Sequence, residues 1–134
     1  CPNTPGQKGW YIELDHFKKV TAEPTVSSGL VYFPIYKPTT SVNKCSLGEA
    51  FICGVDDECG TNVSSRLGPN TKSIHSNEKC KYVGQGVLSR IVTFAGKLFA
   101  NIAGESTQDK KDLVQLEGAA GDVSTYRNSW RSNY

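Results

Sequence analysis

The strongest constraint on the fold is a pair of stretches that align without gaps, "PTVSSGLVYFPI" at residues 24–35 and "IVTFAGKLFANI" at 91–102. Each places a glycine, Gly29 or Gly96, just ahead of an aliphatic-aromatic run: Val31 and Tyr32 in one, Leu98 and Phe99 in the other. "SSG" at 27–29 and "AGK" at 95–97 read as tight hairpin turns, with glycine where a positive φ is needed. The flanking runs are rich in β-branched and aromatic residues, which suits a pleated, half-buried surface. A further short strand follows each hairpin after a loop, "AFICGVD" in the first case and "DLVQLEG" in the second. A hairpin plus a third strand is a unit that propeller blades repeat. The copies lie 67 positions apart, more than the ~40–50 residues of a four-stranded blade. The excess falls in residues 37–43 and in the polar stretch 61–78.

The rest of the chain carries the same signal. Short runs at 9–14, 29–36, 49–55, 88–94, 97–103 and 112–117 read as strands bounded by turn residues. Few windows hold apolar residues at i, i+3 and i+4 for three turns, and glycine or proline interrupts most of them. The expected fold is all-β, with short antiparallel strands in about two propeller-like blades and a long loop tied by disulfides. At 134 residues the chain makes one domain with a real core, spanning 1–134. The stretch 61–78 has almost no apolar residue to bury and reads as a surface loop anchored by cysteines.

Composition narrows the function. Lysine and arginine are scattered among acids for a net charge of +2, so no basic face tracks a phosphate backbone and nucleic acid is not an expected partner. The longest apolar run, residues 31–36, is broken by Pro34 and falls far short of the ~20 residues of a membrane helix. No basic start precedes an apolar stretch, so a signal peptide is not read in this chain. A first residue of Cys1 fits a lipidated mature protein, an excised fragment or an expressed piece.

Five cysteines, Cys1, Cys45, Cys53, Cys59 and Cys80, with loops rich in glycine and proline, indicate an oxidising, extracytoplasmic compartment. The odd count leaves Cys1 for a lipid or an interchain bond. The other four allow three connectivities. Cys53–Cys59 with Cys45–Cys80 would close a small loop and tie down the polar stretch, and Cys45–Cys53 with Cys59–Cys80 fits almost as well. Their spacing matches no zinc ribbon and no haem-attachment motif, and the acids beside Cys59 disfavour a reactive thiolate. There is no G-x-S-x-G elbow and there are only two histidines, so no catalytic residue, metal ligand or cofactor is assigned. Tyr32, Phe33, Tyr36, Trp130 and Tyr134 read first as core packing. Their rival role is a partner-docking edge.

The run "KGWYIELDHFKKVTAEPTVSSGLVYFPIYKPTTSVNKCSLGEAFICGVD" resembles the C-terminal part of PilY-type proteins, the tip and biogenesis factors of type IV pili. The likeness rests on the order of "GWY" at Gly9, then Pro24, Val26, Gly29, Val31, Tyr32 and Phe33, then Cys45, with "SWR" at Ser129 near the end. It implies a non-enzymatic structural or interaction domain at the cell surface, part of a larger PilY-like protein, with pilins and minor pilins as partners. Other roles fit too: an accessory subunit docking on a separate helical pilin, or an extracellular carbohydrate-binding or carbohydrate-processing module. The family's spaced "D-x-D-x-D" calcium loop is missing, since Asp56, Asp57 and Glu58 are adjacent and no ligand spacing follows them.

Overall fold

A computed structural model describes residues 9–15, 17–39, 47–67, 71–75, 78–104 and 113–117. It is all-β, built from antiparallel strands, and its one helical piece among the described residues is a 3-10 turn at Ser64–Leu67. The larger sheet holds β1 (Lys19–Val20), β2 (Thr25–Ser27), β3 (Leu30–Lys37), β4 (Glu49–Asp56), β5 (Thr71–His75) and β6 (Glu78–Gln85). Its order is β1-β3-β4-β6-β5, with β2 beside β1 on the same edge of β3. β6 runs on into the second sheet, made of β7 (Val87–Leu88), β8 (Val92–Phe94), β9 (Lys97–Ala103) and β10 (Leu113–Glu117).

The two hairpins form as expected. Ser28 and Gly29 have φ of 52° and 74°, and Ala95 and Gly96 have 50° and 73°. Two consecutive positive φ values make the turn whose twist matches that of paired strands. β3 then pairs with β4, and β9 with β10, so each unit is a three-stranded meander.

The repeat extends further than the sequence alignment. Thr21 N–H donates to the Pro34 carbonyl at 3.3 Å, and Ser89 N–H donates to the Asn101 carbonyl at 2.8 Å, at the matching place in each unit. In both units the outer strand is broken there, into β1 and β2 or into β7 and β8. The break also explains a proline inside a buried strand. In an antiparallel strand the N and the C=O of one residue point to the same side, so the missing N–H of Pro34 faces the interruption and no ladder bond is lost.

The packing of the units is front to back. Leu30, Tyr32, Ala50 and Ile52 of the first sheet meet Leu88, Ile91, Leu98 and Ala100 of the second in one core. Even-numbered residues of β3 and β9 thus point inward in both units. Because the units are offset by an odd number along these strands, matching residues face opposite ways. Thr21 and Thr25 hydroxyls donate to the carbonyls of Leu88 and Ile91, clamping the sheets edge to edge. The odd face of β3 and β4 carries a second core of Phe33, Ile35, Phe51, Cys53 and Val55, joined by Ile74 and Cys80.

Three sequence expectations change. Residues 9–15 form no ladder; they lie extended over the second core, with Ile12 and Leu14 packed on it. The strand expected at 88–94 is split by the break described above. The stretch 61–78 is not a plain surface loop: Leu67 and Ile74 are buried, one in each core, and β5 pairs with β6. Two well-placed apolar side chains suffice to hold a polar segment down, and window-averaged polarity does not register them.

Candidate functional site

Disulfide geometry follows from the ladder. Phe51 faces Tyr82 and Ile52 faces Lys81, so the next opposed pair is Cys53 and Cys80. They are bonded, with Cα atoms 4.6 Å apart, the spacing of a non-hydrogen-bonded antiparallel pair. Neither pairing weighed from the sequence puts Cys53 on Cys80, because both favoured closing short or loop-end segments over strand opposition. Past the bridge, β4 turns to the chain's own return. Val63 N–H donates to Gly54 O at 3.0 Å and Asp56 N–H to Thr61 O at 2.9 Å. Cys59 is also disulfide-bonded; Cys1 and Cys45 lie outside the described residues.

The acidic turn between those strands is built by hydrogen bonds. The Asp56 carboxylate accepts the amides of Glu58 and Cys59 at 3.0 Å each, the arrangement by which an aspartate shapes a turn from its own side chain. Trp10 closes over it: its indole N–H donates to the Asp57 carbonyl at 2.9 Å. The ring lies so near Gly60 (φ 66°) that a Cβ there would come within 2.6 Å of it. At the other end of the segment, Lys18 bonds Asp15 at 2.8 Å and donates to the Ile74 carbonyl. Residues 10–14 are thereby pinned at both ends.

Between this segment and the sheet lies an apolar groove of about 200 Å³, lined by Trp10, Ile12, Leu14, Val20, Val31 and Phe33, with Pro24 at its rim. A second apolar surface lies on the far side of the molecule, on the outer face of the second sheet. Val92 faces Phe99 across the β8–β9 ladder, and Leu113 stands opposite Asn101 on β10. Phe94 is 73% exposed, Val92 56% and Leu113 51%, while Phe99 is half-buried. Adjacent exposed apolar side chains on one sheet face are the usual mark of an interaction surface.

The aromatic residues singled out from the sequence take a different place. Tyr32 is buried in the core between the sheets and Phe33 in the second core, where it also forms part of the groove floor. Tyr36 is half-buried on β3, and Trp130 and Tyr134 fall outside the described residues. Val92, Phe94 and Leu113 were overlooked because they sit in strands that read as core. Comparing the copies would have found one of them: Phe94 stands where the first unit has Ser27.

Among the described residues, no three His, Cys, Asp or Glu side chains come together to hold a metal ion, and no helix is long and apolar enough to cross a membrane. No family model, curated protein or solved structure matches the chain.

Proposed function

We propose that the chain is a non-enzymatic structural and interaction domain of a cell-surface assembly, within type IV pilus biogenesis or the pilus tip. The observation that carries this reading is the pair of apolar surfaces left open at opposite ends of two stacked β-meanders. Each meander is read as a propeller-like blade, since blades also stack front to back and leave an open face at each end of an incomplete array. Buried, cross-strand disulfide bonding suits the oxidising exterior where such an assembly works. The PilY-type order of motifs then points to pilins and minor pilins, or the rest of a larger chain, as what the domain joins.

The test is a Phe94→Asp replacement in the producing cell, with export and disulfide bonding confirmed on a non-reducing gel. A charge on the outer face at the end of β8 cannot be buried without a partner, so piliation is expected to fall several-fold. Full piliation, or loss of glycan binding with piliation intact, overturns the reading.

A further inference from the structure

The groove and the outer face are the two halves of an interface that the molecule already contains. Val31 and Phe33 in the groove match Leu98 and Ala100, and Pro24 matches Ile91 under the same repeat offset. Val20 faces Ile35 as Leu88 faces Ile102. Those four counterparts are all buried in the core between the sheets. On the outer face, Phe99 matches Tyr32, and Leu113, opposite Asn101, matches Ile52, opposite Pro34. Tyr32 and Ile52 are the side chains that the first sheet contributes to the same core. The outer face, and the part of the groove that residues 10–14 leave open, are therefore copies of surfaces that are paired inside the chain.

We propose that the outer face of one copy of this chain packs into the groove of a second copy, repeating between chains the front-to-back stacking that joins the two sheets within one. Phe94, beside the Ala95–Gly96 turn, is the projecting side chain, and the groove walled by Trp10, Ile12 and Leu14 receives it. Pinning of residues 10–14 at Asp57 and Ile74 keeps that wall formed before association, which lowers the ordering cost of binding. The two surfaces differ, so the contact is heterologous and leaves one of each unused on every dimer. Association then continues past the dimer with concentration, closing into a ring where the rotation between units permits and running on otherwise. This inference rests on the docking reading above and names a second copy as the partner.

The experiment is sedimentation of the purified full chain from about 1 to about 100 µM, a range that spans weak to moderate association. Wild type is expected to grow in mass with concentration beyond a dimer. Phe94→Asp destroys only the outer face and Val20→Asp only the groove, so each alone is expected to be monomeric. Mixed one to one, they are expected to form dimers and nothing larger, because one intact face and one intact groove remain. Both substituted positions are exposed, and circular dichroism checks that each variant is folded; Val92→Asp and Pro24→Asp serve as replacements where one is not. A wild type that stays monomeric throughout overturns the proposal, and so does a Val20→Asp chain that still dimerises, which would mean face-to-face pairing. Lost piliation with a monomeric wild type would leave the docking reading standing and remove only the self-stacking.

Discussion

Replacing the Cys53–Cys80 bridge by Cys53→Ala/Cys80→Ala is the most direct test of how the first sheet is held. The bridge joins residues 27 apart in sequence, and closing a loop of that length in the unfolded chain is worth about 3.5 kcal/mol in the chain-entropy model. Both cysteines are buried, at 1% and 0% exposure. Truncation to methyl adds roughly 0.5–1 kcal/mol at each site for lost apolar burial. The location matters as well, because the bridge sits where β4 leaves β6 and no ladder bond continues beyond it. A loss of about 4.5–5.5 kcal/mol is expected from a domain whose whole stability is about 5–15 kcal/mol. Urea denaturation followed by circular dichroism measures it, with the slope m expected to rise as the unfolded chain expands. A loss below about 1 kcal/mol with m unchanged would refute the reasoning, since the loop between the strands would then be restrained by something else.

Ala95→Asn should raise stability by about 0.5–1 kcal/mol, because Ala95 holds φ of 50° and asparagine tolerates that conformation better; a fall in thermal midpoint would count against the turn geometry. Leu67→Ala should cost about 2–5 kcal/mol if residues 61–67 are anchored in the inter-sheet core, and an effect under about 0.5 kcal/mol in denaturation would return that stretch to the surface. The Glu49 carboxyl is held below the ordinary glutamate range by the hydrogen bond from Lys72 and by Lys37, against the opposing effect of its partial burial. A depressed folded-state value means that its contribution is complete above the unfolded pKa and is lost as pH falls from about 5 through the folded value. Glu49→Gln should therefore flatten the stability curve in that acid window and leave its shape at pH 7 to 9 alone, as thermal midpoints across pH would show.

Local chemistry alone determined the all-β class, the two hairpins and the existence of a repeat. Turn conformations and strand preferences act over a few residues, so "SSGL" and "AGKL" announce their hairpins wherever they occur. Cysteine content likewise indicated disulfides, but pairing is a matter of which strands lie opposite each other. Cys53 meets Cys80 only because β6 docks beside β4, and "EKCKYVGQ", with three charged residues in its first four, is too charged to read as a strand on its own. The candidate site was the least legible part. Both faces of "LVYFPI" are apolar, so alternation could not tell which side of β3 meets the second sheet. Whether Tyr32 or Phe94 ends in a core or on a surface depends on that choice. Only tertiary structure makes it, by stacking front on back and leaving one copy of the same interface unpaired at each end.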